Sequence, residues 1–110
     1  MKRYAEVAFN LPLKKSFTYL LPEDMDALPG CRVAAPFGSR SLVGCVVALR
    51  DSPPAGIADV KEVRRLIDAH PLFGEETLEI ARWMSGHYLC SLGEAIFTML
   101  PGGRRESSPR

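Results

Sequence analysis

Apolar and polar residues alternate across residues 4–11, with Ala5, Val7, Phe9 and Leu11 on one face and Glu6 and Asn10 on the other. That two-residue period predicts a half-buried β-strand, which Pro12 ends. Residues 16–21 repeat the pattern through Phe17, Tyr19 and Leu21, and Pro22-Glu23-Asp24 then opens a polar turn running to Pro29-Gly30. Residues 31–37 and 41–50 are the next two predicted strands. Gly38-Ser39-Arg40 joins them, a spacing that suits a tight hairpin with Gly38 supplying a positive φ. Gly44 is expected to mark a bend or bulge. After a surface loop at residues 51–56, the β-branched run through Val60, Val63 and Ile67 predicts a fifth strand over residues 60–67.

From residue 75 the period changes. Leu78, Ala81, Met84 or Ser85, and Tyr88 recur at helical spacing, and Glu75 and Glu76 stand where an N-terminal turn favours negative charge, so a helix is predicted over residues 75–89. Ser91-Leu92-Gly93-Glu94 has the form of a capping box, which predicts a short second helix to about Leu100, stopped by Pro101. The fold class is therefore mainly β with two C-terminal helices, a small OB-like twisted β-barrel with the helices over an open edge or end. The helices are expected to pack on the sheet through Leu78, Ala81, Trp83, Ile96 and Phe97. Residues 102–110 are expected to be a disordered tail.

At 110 residues the chain is sized for one modest core, and a monomer is expected. Its charge is nearly balanced, with 14 basic and 13 acidic residues, so no global attraction to nucleic acid operates. The distribution is uneven, however. Residues 1–50 hold seven basic and four acidic residues, whereas residues 51–100 hold four and eight. Three cysteines, Cys31, Cys45 and Cys90, are odd in number and widely spaced, which reads as reduced core thiols rather than disulfides or a zinc site. With no signal peptide and no apolar run near the ~20 residues of a membrane span, a cytoplasmic location is expected.

Several short motifs then fall in an ordered register: Leu11-Pro12-Leu13, Phe17-Thr18-Tyr19-Leu20-Leu21-Pro22, Gly30-Cys31-Arg32-Val33, Pro36-Phe37-Gly38 and Gly44-Cys45-Val46-Val47. Lys61, Tyr88, Leu92-Gly93-Glu94 and Leu100-Pro101 continue the series. Together they resemble the amino-terminal DNA-binding domain of the bacterial primosomal replication-restart helicases, over nearly the whole chain. The resemblance implies an OB-like DNA-end-binding domain at residues 1–101 and a linker at 102–110 toward a winged-helix domain. It implies a pocket for the 3′ end of the nascent leading strand at stalled forks, within a parent that is an ATP-dependent 3′ to 5′ helicase.

The pocket positions of that family fall on Phe17, Thr18, Gly38 and Lys61. Phe17 would stack on a base, the Gly38 backbone would admit close approach, and Lys61 would hold a phosphate. Thr18 departs from the family, which places an aspartate there; threonine keeps a donor and an acceptor but loses the charge. Read without the family, Phe17 is a core residue, Gly38 a turn glycine and Lys61 a solvated lysine. Lys14, Lys15, Arg32 and Arg40 form a candidate phosphate track, against the blander reading of scattered surface charge. His87 and Tyr88 are assigned no site, and Arg104-Arg105 is placed in the linker.

No phosphate-binding loop or cysteine cluster is present, so these residues are expected to carry no catalysis and no cofactor, with ATP, magnesium and zinc belonging to the parent's other domains. The partners implied are DNA with a free 3′ end and forked DNA, together with primosome proteins and single-strand-binding protein through the parent, and the location becomes nucleoid-associated. The competing reading is a protein-interaction barrel of the same primosome, which salt sensitivity would separate from phosphate binding. A small-molecule enzyme fits poorly, because no nucleophile, base and orienting group can be picked out.

Overall fold

The computed structural model describes residues 3–12, 16–53 and 60–99. Five strands run in the order β1 Arg3–Phe9, β2 Phe17–Leu21, β3 Arg32–Phe37, β4 Arg40–Arg50 and β5 Arg65–Leu66, followed by α1 Glu75–His87 and α2 Leu92–Met99. They form one antiparallel sheet ordered β2-β1-β4-β3-β5, strongly curled but not closed as a ladder. The mainly β, OB-like class expected from the pattern is the fold observed. The expected tail and linker at residues 102–110, and the stop at Pro101, lie outside the described residues.

Alternation along the strands divides the interior in two. Ala5, Val7 and Phe9 of β1 join Tyr19, Leu21, Val33, Ala35 and Val46 inside the curl. Ala8, Cys45 and Val47 point the other way, and Leu78, Ala81, Ala95, Ile96 and Phe97 of the helices cover them. β1 and β4 thus bury residues on both faces, so β1 is covered more fully than the half-buried strand its alternation predicts. The register between them slips between Glu6 and Val7: Glu6 faces Ala48 while Val7 faces Val46. Val47 is the extra residue, so the bulge lies there and not at Gly44. Gly44 serves close packing, since a Cβ would stand 2.5 Å from a Val7 methyl and 2.8 Å from the Phe9 ring.

The β3–β4 hairpin is tighter than its three candidate turn residues suggest. Phe37 pairs with Arg40, leaving Gly38-Ser39 as a two-residue turn with Gly38 at φ 65°. The fifth strand is shorter than the expected residues 60–67, because that segment serves both edges of the sheet. The Leu20 amide donates to the Lys61 carbonyl at 2.8 Å and the Val63 amide to the Leu20 carbonyl at 3.0 Å, whereas the Arg64 amide donates to Ala34 and that of Ile67 to Arg32. One stretch of chain therefore crosses from β2 to β3 and draws the two sheet edges together.

The predicted capping box forms in full: the Glu94 amide donates to Ser91 Oγ at 3.0 Å and the Ser91 amide to Glu94 Oε1 at 2.8 Å. Ser91 Oγ also donates to the Leu11 carbonyl, tying the start of α2 to the residues just after β1. α1 stops at His87, earlier than expected, and Tyr88 leaves in an extended conformation while its amide still donates to the Met84 carbonyl. Trp83 is not in the helix–sheet core; it is 53% exposed. The reason is angular: at 100° per residue, Trp83 lies roughly opposite Ala81, whose methyl faces the sheet.

Cys31, Cys45 and Cys90 are all free thiols, as the spacing implied. Burial pushes the Cys45 thiol up to about 12 and raises that of Cys31. Folding thus favours the neutral Cys45 thiol over a thiolate. The stability this contributes is complete below the ordinary thiol value of 9.0 and is lost as pH climbs toward about 12. Two results should follow. An aromatic disulfide reagent at pH 8 should label Cys90 quickly and the other two only after denaturant is added, and the urea midpoint should fall in that alkaline window. Rapid labelling of all three thiols in the native chain would contradict this packing.

Candidate nucleic-acid interface

Where the crossing segment leaves β2 for β3, it walls an open cleft of about 590 Å³. Pro22 after β2, Pro36 of β3 and the turn residue Gly38 form the other sides, and residues 61–64 supply the wall. The volume lies within the roughly 300–1,000 Å³ of ordinary ligand pockets. Beneath it Tyr19, itself buried, donates its hydroxyl to the Pro36 carbonyl at 2.6 Å, which anchors β3 to β2.

Of the four candidate pocket residues, Gly38 and Lys61 line this cleft, although 23 positions separate them in sequence. Gly38 is exposed, and nothing lies within 4 Å of where its Cβ would stand, so a ligand can approach the turn backbone closely. Lys61 is held by its own carbonyl, bonded to Leu20, and its side chain is exposed. Phe17 and Thr18 do not line the cleft. Phe17 is half-buried, with its ring edge-on to Phe37 at 5.3 Å and tilted against Phe9 at 6.0 Å. Its contact with Phe37, the residue before Gly38, links it to the turn. Thr18 sits across from Glu6, whose carboxylate accepts from Ser16 Oγ and pairs with Arg50.

The candidate phosphate track divides. Arg40 is exposed at the start of β4, beside the Gly38 turn. Arg32 is buried: its Nε donates to Asp68 Oδ2 at 2.8 Å and its Nη2 to Asp68 Oδ1 at 3.0 Å, while its backbone amide also donates to Oδ2 at 2.9 Å. Donating these hydrogen bonds to the Asp68 carboxylate holds the guanidinium above its ordinary pKa. This bidentate pair faces inward and locks the residues after β5 onto β3, so Arg32 is withdrawn from the track. Lys14 and Lys15 lie outside the described residues.

Two cleft residues escaped the sequence reading. Glu62 and Arg64 flank Val63, which is 2% exposed, and both are exposed residues lining the cleft. The signal was the alternation of residues 61–64 itself, masked by treating the run only as a β-branched strand. Lys61, Glu62 and Arg64 thus set two cations and one carboxylate in a single wall. Among the described residues, no group of three or more His, Cys, Asp or Glu side chains is placed to hold a metal ion. Among the same residues, no helix is long and apolar enough to cross a membrane.

Residues 6–101 match the family described as 3'DNA-binding domain (3'BD). The chain is also similar to proteins named replication restart protein PriA. It is 42% identical to that of Treponema pallidum over 96% of this chain and 17% of the relative. For Buchnera aphidicola the identity is 32%, over 87% of this chain and 13% of the relative, and for Bacillus subtilis 32%, over 89% and 13%. The chain spans about one-sixth or less of the length of these curated relatives. A mainly β domain with this cleft, matched over nearly its whole length, belongs to the 3'DNA-binding domain family of the PriA replication restart proteins.

Proposed function

We propose that the cleft between the Gly38 turn and residues 61–64 holds the 3′-terminal nucleotide of a DNA strand. The observation that carries this reading is the charge order of its wall, Lys61 and Arg64 with Glu62 between them. Two cations suit the phosphates of the last residues of a strand. A carboxylate accepts a hydrogen bond from a free 3′-hydroxyl but repels a 3′-phosphate. Glu62 would then supply at the cleft the negative charge that Thr18 does not. Gly38 admits the sugar or base, with Arg40 extending the phosphate path from the turn.

In a parent of the relatives' length, this domain would grip the 3′ end of the nascent leading strand at a stalled fork. The helicase activity, its ATP, magnesium and zinc, and contacts with primosome proteins and single-strand-binding protein would reside in the parent's other domains. The chain itself would act as a DNA-binding module rather than an enzyme.

Fluorescence anisotropy with 5′-labelled single strands tests the reading. A free 3′-hydroxyl should bind more tightly than a 3′-phosphate or an end buried in a hairpin. Lys61→Ala should weaken every DNA and lower the salt slope by about one phosphate contact, whereas Glu62→Gln should mainly shrink the preference for the hydroxyl. Equal affinity for free and blocked ends, unchanged in both variants, would reject the site. Affinity insensitive to salt would favour the protein-interaction reading instead.

A further inference from the structure

The far side of α1 carries an apolar surface that the cleft does not use. Ile80, Trp83 and His87 succeed one another along one helical stripe, and Tyr88 and Leu89 continue it past the helix end. Ile80 is 52% exposed, Tyr88 58%, and Leu89 fully. Trp83 is held in place, with its indole stacked on the His87 ring at 4.4 Å and Tyr88 edge-on at 5.8 Å, while His87 Nδ1 lies 2.9 Å from the Trp83 carbonyl. The surface runs through Leu89 into a smaller groove of about 210 Å³ between Pro12, Cys90, Ser91 and Glu94. Four large apolar side chains this close together on so small a domain mark an interaction surface rather than scattered exposure.

Charge says what should cover it. Glu75, Glu76 and Glu79 are exposed on the same helix, and its one guanidinium, Arg82, reaches back to the Val47 carbonyl. Three carboxylates against one guanidinium leave α1 at −2, and Glu94 adds a further carboxylate at the groove. A DNA strand is disfavoured beside these acids, and a second copy would bring one net-negative face onto another. We infer that this face docks a basic amphipathic protein segment, its apolar anchors seated on Trp83, Tyr88 and Leu89 and its lysines or arginines facing Glu75, Glu76 and Glu79.

Trp83 is the only tryptophan, so its emission reports directly on coverage of this face. The 110-residue chain is titrated with a synthetic leucine–lysine amphipathic helical peptide, its leucine–glutamate counterpart, and oligolysine. The leucine–lysine peptide should shift Trp83 emission to the blue and saturate, while the other two should leave it unchanged. Ile80→Asp and Leu89→Asp, both at exposed positions, should each weaken that binding by about tenfold or more with the circular-dichroism spectrum preserved. Changing Glu75, Glu76 and Glu79 together to lysine should transfer the preference to the leucine–glutamate peptide. The inference is overturned by an equal response to both amphipathic peptides, by a shift with oligolysine alone, or by none at all. A blue shift that grows with protein concentration alone, or on adding single-stranded DNA, overturns it in favour of a second copy or of DNA.

Discussion

Replacing Asp68 by alanine is expected to destabilise the chain by about 3–5 kcal/mol, the usual cost of removing one partner from a buried ion pair. The Arg32 and Asp68 side chains are only 10% and 11% exposed, and Asp68 accepts from both the guanidinium and the Arg32 backbone amide. Without the carboxylate, Arg32 remains a buried cation, and its amide loses one hydrogen-bond partner. Small domains are commonly stable by only 5–15 kcal/mol, so the loss should appear as a large drop in the urea midpoint with little change in slope. Exchanging both residues for leucine should recover much of the deficit, because the desolvated charges go together. If Asp68→Ala alone proves as stable as the parent chain, the pair does not hold the segment after β5 in place. Since that segment continues residues 61–64, the single variant should also loosen the cleft and weaken DNA binding.

Gly93→Ala should be comparably severe for a different reason. A Cβ there would stand 1.7 Å from the Phe9 carbonyl oxygen and 2.4 Å from its carbon, both backbone atoms that no rotamer change can move. Either α2 lifts from β1, separating Ile96 and Phe97 from Ala8 and Val47, or β1 itself shifts between β2 and β4. The expected result is a loss of several kcal/mol, of the order of an overpacked or emptied core site, or failure to accumulate folded protein. Gly38→Ala provides the contrast. Its surroundings are open, so the cost is confined to the positive φ, about 1 kcal/mol. Thermal melts of the two variants side by side check the order. A Gly93→Ala chain melting with the parent would mean that α2 does not pack against β1 in this way.

Local chemistry accounts for what the sequence made legible. The first two strands follow from two-residue alternation, the β3–β4 hairpin from the spacing around Gly38, and the start of α2 from the Ser91–Glu94 box, because each depends on residues within a few positions of one another. The candidate site was legible only in part, and through resemblance rather than pattern. Gly38 and Lys61 do meet at one cleft, yet neither stands out by type, since a turn glycine and an exposed lysine are common anywhere. Glu62 and Arg64 became visible only once Val63 was seen to be buried. Trp83, expected in the helix–sheet core, is exposed instead because of its angle on α1.

What the sequence determined by itself is therefore the class of the domain, its principal elements and its family. Tertiary structure alone decided the rest. Arg32 reads as a surface cation until Asp68, 36 residues later, takes it inward. Residues 60–67 read as one strand until the curl of the sheet brings β2 and β3 close enough for each to claim half of their hydrogen bonds. In both cases the deciding partner is distant along the chain, and the backbone donors and the buried charge are satisfied only by the fold that brings that partner near.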